Sequence, residues 1–303
     1  MKDYIIRATA GNGSVRIFAA NTKNLTEKAR VLHNTTPVAT AALGRTLTAA
    51  TMMGAALKND TDILTIDMRG NGPLGGIIAV ANNKAQVKGY TFNPQIEMMK
   101  NAKGKLDVAG ALGIGVLTVT QDMGLKEPVS GQVELITSEI AEDITYYFAT
   151  SEQTPSSVAL GVLVDVDYSV KQAGGYIIQL MPFAEEETIA HLETVLPTLP
   201  PMTTMLDEGK TIEEILEIIF AGQGLEILDT IHPEFSCNCS REKTEKALLS
   251  VGAKELRAIL EEDKGANLHC NFCNTDYVFT ETDIIQLVTD CYRLDSNFGG
   301  VSC

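Results

Sequence analysis

The chain has 303 residues and a formal net charge of −15. This length allows a sizeable hydrophobic core and two domains, whereas the excess of acidic side chains argues against a nucleic-acid-binding surface, which needs clustered Lys and Arg. The six cysteines are too few for a disulfide framework in a chain this long, because secreted proteins of that class are short and rich in cysteine.

The N-terminal region bears on localisation. The first thirteen residues contain charges and no apolar signal segment. The run most similar to a membrane helix, residues 38–57, contains Arg45 and four threonines, so we interpret it as a helix of a water-soluble protein. Free thiols and the absence of an export signal predict a cytoplasmic protein that does not use a membrane.

The first half of the chain alternates strand-like and helix-like segments. Apolar alternation on both sides of Gly11-Asn12-Gly13 predicts a β-hairpin, and Pro37 is well placed in the first turn of a long helix. The predicted elements up to residue 136 are strands at 3–8 and 14–20, helices at 24–33 and 37–57, and strands at 62–68, 76–80, 86–90, 116–121 and 132–136.

A glycine-rich segment from Gly70 to Gly75 matches the GxGxxG pattern of dinucleotide-binding turns. That function requires a helix directly after the motif. The following residues, Gly-Ile-Ile-Ala-Val at 76–80, are instead strand-like, and Pro73 lies inside the motif. We therefore predict a simple turn between two strands.

Residues 137–182 complete the first predicted domain. Ser138 is a good N-cap for a helix at 138–147, and strands are predicted at 157–166 and 175–181. The nearby carboxylates of Glu139, Glu142 and Asp143 could suggest acid–base or metal chemistry. No histidine or second carboxylate cluster accompanies them, so we predict either a solvated face or a face at the positive N-terminal end of the helix dipole. Strands and helices mixed over 1–182 predict an α+β fold with a mixed α/β core domain containing a β-sheet.

The acidic charge is concentrated in one segment. Residues 1–182 are neutral overall, whereas residues 183–230 contain 1 Lys or Arg and 11 Asp or Glu. A helix is predicted at 185–196, then prolines, then a helix at 211–220 with an apolar stripe of Ile212, Ile215, Leu216 and Ile219. Such a stripe is usually packed core, but here it could also be a switch that is hidden or released. We predict a helical acidic linker at 183–230.

Cysteines dominate the last part of the chain. Cys237-Asn238-Cys239 is a CxC pair, and Cys270-Asn271-Phe272-Cys273 is a CxxC pair that follows after 30 intervening residues. Two close pairs on a loop long enough to fold back are typical of a four-thiolate tetrahedral zinc site. A zinc site that only stabilises a small domain is the main alternative. The CxC favours a redox role, because a disulfide in so small a ring departs from relaxed geometry and is easily reduced.

Other residues of this region have simpler interpretations. His232 and His269 lie near the cysteines, but four thiolates already complete a tetrahedron, so both are interpreted as bystanders or outer-sphere residues. Cys291 and Cys303 are interpreted as one packed thiol and one thiol in the tail. The predicted elements are helices at 241–250, 254–262 and 282–289 and a strand at 277–279.

The cysteine pattern resembles the redox-regulated chaperone family called heat shock protein 33. Further segments that look like this family are 70–75, 130–135, 138–143, 146–147, 151–153, 158–162 and 174–176, so the resemblance covers essentially the whole chain. It implies that the two motifs bind one Zn2+ per chain when reduced and form two disulfides when oxidised. The residues carried over are Cys237, Cys239, Cys270 and Cys273, with Cys237–Cys239 and Cys270–Cys273 as the expected disulfides.

The same resemblance implies the function and the domains. The protein would be a holdase, not an enzyme, that binds unfolding client proteins under oxidative and heat stress and forms a homodimer when oxidised. Residues 1–182 would bind clients and dimerise, residues 183–230 would be the linker, and residues 231–303 would form the zinc-binding redox switch. The alternatives are a thiol–disulfide oxidoreductase, which would place its CxxC at a helix N-terminus, and a zinc-ribbon interaction module.

Overall fold

The computed structural model describes residues 2–297, with side chains through residue 291. The chain divides into two compact units, Met1–Ser236 and Cys237–Cys303. Both units mix helices and strands, so the predicted α+β class is confirmed. Residues 183–230 lie within the first unit, and their separate role as a linker stays a prediction.

A five-stranded antiparallel sheet forms one layer of the first unit. The hairpin predicted around Gly11 and Gly13 is present, and both glycines have positive φ, 56° and 83°. The strand order is β10-β1-β2-β9-β8. The strands are β1 Tyr4–Ala10, β2 Val15–Asn21, β8 Ser156–Val164, β9 Val170–Leu180 and β10 Glu226–Ile231.

A six-stranded sheet forms a second layer. Its order is β11-β5-β4-β3-β6-β7, and only the short β11 runs parallel to its neighbour. The strands are β3 Ile63–Gly70, β4 Gly76–Asn82, β5 Gln86–Thr91, β6 Gly115–Asp122, β7 Val129–Glu134 and β11 Glu234–Phe235. The predicted turn at Gly70–Gly75 joins β3 to β4. Gly70 and Gly72 are required there because an added Cβ would clash with backbone at Leu112 and Ala111.

A long helix lies in the core of this unit. Besides α1, Lys23–His33, the unit contains α2, Pro37–Gly54, in which every residue except Arg45 is buried. Its small Ala, Thr and Gly side chains allow the close packing of a buried helix. The Arg45 guanidinium pairs with Glu139 at 2.7 Å. Within residues 2–297, no helix is long and apolar enough to cross a membrane.

The segment around Ser138 differs from the prediction. The helix α4 spans Ala141–Thr150, and Ser138 has a φ of 61° instead of acting as its N-cap. The cause is Asp143, whose buried carboxylate accepts hydrogen bonds from the backbone N–H groups of residues 136, 137, 138 and 140. Asp143 is therefore buried in the first turn of α4, which agrees with the predicted position at the N-terminal end of the helix and not with a solvated face, whereas Glu142 is exposed. A short helix that the sequence did not predict, α3, spans Val108–Leu112.

The acidic segment packs on one face of the five-stranded sheet. Its helices are α5 Glu186–Val195, α6 Met202–Asp207 and α7 Ile212–Ile219. The apolar side chains of α6 and α7 join a hydrophobic cluster with the sheet residues Ile6, Ala8, Ile17, Tyr176 and Ile178. The segment ends in β10, which pairs antiparallel with β1. Neither α6 nor β10 was predicted from the sequence.

The second unit is a small α+β module. It contains α8 Arg241–Leu249, α9 Ala253–Glu262, the hairpin of β12 Gly265–Cys270 and β13 Thr275–Thr280, and α10 Glu281–Asn297. Its buried core consists of Leu248, Leu256, Phe279, Ile284, Leu287 and Cys291. So small a core buries little apolar area, and domains of this size commonly need a metal or a covalent link.

Candidate metal and redox centre

The two cysteine motifs occupy different local structures in the second unit. Cys237 and Cys239 lie in an extended stretch before α8, whose N-cap Ser240 accepts a hydrogen bond from the Lys243 N–H at 3.3 Å. Cys270 ends β12, and Cys273 lies in the turn that leads to β13. The Asn274 N–H donates to the Cys270 carbonyl oxygen at 2.8 Å and closes this turn. The CxxC is therefore part of a β-hairpin.

The four sulfur atoms form one cluster. All lie within 4.8 Å of one another, and the side chains are half-buried. The Sγ atoms of Cys237 and Cys270 are 3.8 Å apart, and those of Cys239 and Cys273 are 3.0 Å apart. A tetrahedral site with Zn–S bonds of about 2.3 Å has sulfur–sulfur edges of about 3.8 Å. The residues therefore fit a metal ion of tetrahedral thiolate preference.

Hydrogen bonds make the four thiols unequal. Burial raises the pKa of Cys239, but hydrogen bonds from the Cys273 thiol and the Tyr277 hydroxyl bring it down to about 7. Burial and the hydrogen bond to Cys239 raise the pKa of Cys273 to about 12, and burial raises the pKa of Cys237. Among Cys237, Cys239 and Cys273, Cys239 is thus the thiol with the lowest pKa.

Side chains around the cluster clarify the remaining residues of this region. Tyr277 donates its hydroxyl to Cys239 Sγ at 3.1 Å, a contact that the sequence analysis missed. His269 lies outside the four-sulfur cluster, with Nδ1 2.8 Å from Asp276 Oδ1. Cys291 is buried in the core of the second unit, as a packed thiol would be, and Cys303 lies outside the described residues.

In the first unit, His232 lies near the start of the chain. Its Nδ1 is 3.0 Å from the Asp3 carbonyl oxygen. The imidazole is therefore engaged with backbone of the first unit, in line with its interpretation as a bystander.

The helix α7 in the first unit is the predicted switch element. A capping box begins it, since Thr211 Oγ1 accepts from the Glu214 N–H at 3.2 Å and the Thr211 N–H donates to Glu214 Oε2 at 2.8 Å. The four residues of the predicted stripe are all buried, together with Phe220. In addition, Tyr4 of β1 donates its hydroxyl to Glu213 at 2.8 Å. The stripe is therefore packed core in this structure.

Comparisons with known proteins agree along the whole chain. A sequence model of the family described as Hsp33 protein matches residues 3–280. A protein named 33 kDa chaperonin from Clostridioides difficile is 53% identical over 291 residues, which covers 96% of this chain and 100% of that relative. A protein of the same name from Clostridium botulinum is 54% identical over 295 residues, with coverage of 97% and 100%.

A solved structure is also similar. The crystal structure of a 33 kDa chaperonin from Thermotoga maritima, described as a heat shock protein 33 homolog, has a TM-score of 0.89 and 37% sequence identity. It covers 97% of this chain and 100% of the crystallised chain. The similarity thus includes the acidic segment and the cysteine motifs as well as the two sheets.

Proposed function

The chain belongs to the Hsp33 protein family, and on that premise we propose that it is a redox-regulated holdase chaperone. In this proposal the reduced protein holds one Zn2+ through Cys237, Cys239, Cys270 and Cys273. Oxidation forms the disulfides Cys237–Cys239 and Cys270–Cys273 and releases the metal. The oxidised protein, as a cytoplasmic homodimer, then binds unfolding proteins and prevents their aggregation under oxidative and heat stress.

The four-sulfur cluster is the observation that carries this proposal. Its members come from two motifs, and sulfur contacts of 3.8 Å and 3.0 Å join Cys237 to Cys270 and Cys239 to Cys273. A bound zinc ion would hold the four sulfurs as thiolates and tie distant parts of the module together. In a module with so small a core, that binding free energy is also folding free energy. Two disulfides within the motifs cannot replace this tie, because each constrains only a few neighbouring residues.

The acidic segment supports a route from the redox centre to client binding. It covers apolar residues of the five-stranded sheet with its own apolar residues, so its release would uncover both surfaces. It carries 11 acidic residues against a single Lys or Arg, and repulsion among like charges favours expansion once packing is lost. A holdase needs such apolar surface on demand and needs no catalytic pocket.

The position of the CxxC argues against the oxidoreductase alternative. A thioredoxin-like enzyme presents its CxxC at the N-terminus of a helix within a βαβ unit. Here Cys270 and Cys273 flank the turn of a two-stranded hairpin. The other alternative, a zinc-ribbon interaction module, would assign no function to the hydrophobic cluster that α6 and α7 form with the five-stranded sheet.

The test combines three measurements on the same sample. Zinc content, free thiols and suppression of client aggregation are measured before and after hydrogen peroxide. Before treatment we expect one zinc per chain and no suppression of aggregation. After treatment we expect the zinc to be released, four free thiols to be lost to disulfides, and aggregation to be suppressed. An insulin-reduction assay should show no turnover. Suppression that is equally strong in the zinc-loaded, fully reduced protein would contradict redox regulation, and insulin turnover would favour the oxidoreductase.

A further inference from the structure

Tyr277 links the two halves of the thiol cluster through its side chain. It lies on β13, four residues after the CxxC, and pairs across the hairpin with Leu268. Its ring packs against the core of the second unit, while its hydroxyl donates to the Sγ of Cys239 at 3.1 Å. Cys239 belongs to the other motif, so this hydrogen bond joins the CxC to the hairpin without any metal.

We propose that Tyr277 is a positioning residue that sets how much oxidant is needed to release zinc from the cluster. This proposal rests on the proposed function, since it assigns the regulation of the same site. Two physical effects of one hydrogen bond support it. Outer-sphere hydrogen bonds hold metal ligands in the orientation that binding requires, and their loss commonly costs about 10- to 100-fold in metal affinity. A donor also withdraws electron density from a thiolate sulfur.

The second effect concerns the first redox step. A hydroperoxide is the oxidant: an electron pair of the Cys239 thiolate attacks one peroxide oxygen, the O–O bond breaks, and hydroxide leaves. The resulting sulfenic acid is attacked by a second thiolate, which forms the S–S bond and expels the second oxygen as hydroxide. Two protons convert the two hydroxides to water, so two thiolates are oxidised for each peroxide reduced. Once ionised, the Cys239 sulfur is a weaker nucleophile when it accepts the Tyr277 hydrogen bond than when it does not.

The local structure suits this role. The Tyr277 ring is fixed by packing, so its hydroxyl reaches Cys239 without ordering a free side chain. The neighbouring hydroxyl, that of Thr275, donates to the Cys273 carbonyl oxygen at 3.2 Å and lies 3.3 Å from the Cys273 sulfur. Tyr277 therefore contacts a sulfur of the other motif, whereas Thr275 contacts a sulfur of its own motif.

The direct test is Tyr277→Phe, which removes the hydroxyl and keeps the ring. Zinc affinity is measured by competition with a chromogenic chelator, and zinc release by peroxide is followed with the same dye. We expect affinity to fall by about 10- to 100-fold and the second-order rate of peroxide-driven release to rise several-fold. Tyr168→Phe, at a half-exposed tyrosine of the first unit, is the matched control and should behave as the wild type.

A second substitution keeps the test sharp if the Phe variant folds poorly. An ortho-fluorinated tyrosine at position 277 is almost the same size and is a stronger hydrogen-bond donor, so it should slow the release of zinc by peroxide. The proposed role of Tyr277 is overturned if the Phe variant binds zinc and releases it to peroxide as the wild type does. It is also overturned if the fluorinated ring makes zinc release faster. A different result would contradict the proposed function: wild-type protein that binds zinc but does not suppress aggregation after peroxide. The zinc affinities and release rates of the Tyr277 variants could still be compared in that case.

Discussion

Leu216→Ala tests whether the acidic segment covers the client-binding surface. Leu216 is fully buried, at 0% exposure, within α7 and the cluster that this helix forms with β1, β2 and β9. Truncating a buried leucine to alanine costs about 2–5 kcal/mol. Since about 1.4 kcal/mol corresponds to a factor of ten, the open state of α7 should become about 30- to 4000-fold more populated. The helix has only eight residues, so little else compensates.

The assay measures opening and function on reduced, zinc-loaded protein. Hydrogen exchange of residues 211–220 reports the opening of α7, and suppression of aggregation of an unfolded client reports function across a temperature series. We expect the Leu216→Ala variant to exchange faster and to suppress aggregation at temperatures where the reduced wild type does not. Ile218→Ala is the matched control, because Ile218 lies on the same helix but is 43% exposed.

One outcome would refute the reasoning. If exchange in residues 211–220 rises in the Leu216→Ala variant while aggregation is still suppressed only after peroxide, the release of α7 is not what exposes the client-binding surface. The reasoning would also be refuted if Leu216→Ala and Ile218→Ala changed hydrogen exchange and aggregation suppression equally. Burial of the apolar stripe would then not determine whether the client-binding surface is covered.

Three further predictions concern the redox module and its junction. Cys239→Ser should abolish stoichiometric zinc binding in elemental analysis, and full retention of zinc would contradict the four-thiolate site. Peptide mapping after peroxide should find Cys237–Cys239 and Cys270–Cys273, unchanged by Cys291→Ser; a dominant Cys239–Cys273 link would contradict this pairing. Phe235→Ala should destabilise the packing of this buried side chain by about 3–5 kcal/mol and so let peroxide activate the protein at a lower temperature. An unchanged activation temperature would show that Phe235 does not hold the protein in its inactive state.

The elements that the sequence predicted best are those with strong local periodicity. The amphipathic stripe of α7 and the alternating strands β1 to β6 needed only side-chain spacing. The four-cysteine pattern was also local, because each cysteine pair is visible within a few residues. Which sulfurs approach one another across the pairs depends on how the hairpin packs against the segment before α8, so their contacts could not be predicted.

Elements that depend on distant partners were missed. β10 has the sequence EILDTI, which gives a weak strand signal, and it forms because β1 offers an edge at the other end of the first unit. The predicted N-cap at Ser138 was wrong for a different, local reason. The carboxylate of Asp143 accepts hydrogen bonds from four backbone N–H groups, and α4 therefore begins after Ser138. Tyr277 had no sequence signal beyond its place four residues after the CxxC.

Under the proposed function, the junction before Cys237 predicts that activation needs two signals, peroxide and heat. Phe235 is buried in the core of the first unit, its carbonyl oxygen accepts from Lys28 Nζ at 2.9 Å, and the Ser236 N–H donates to the Val87 carbonyl oxygen at 2.9 Å. These contacts hold residues 235 and 236 in place on the first unit. Unfolding that begins at Cys237 must therefore break them before it can reach the acidic segment. On the proposed function, peroxide would remove the zinc from the second unit, but β11 and the packing of α7 would still have to open. Because heat favours the local opening of such small elements, oxidation and warming would then act on successive barriers.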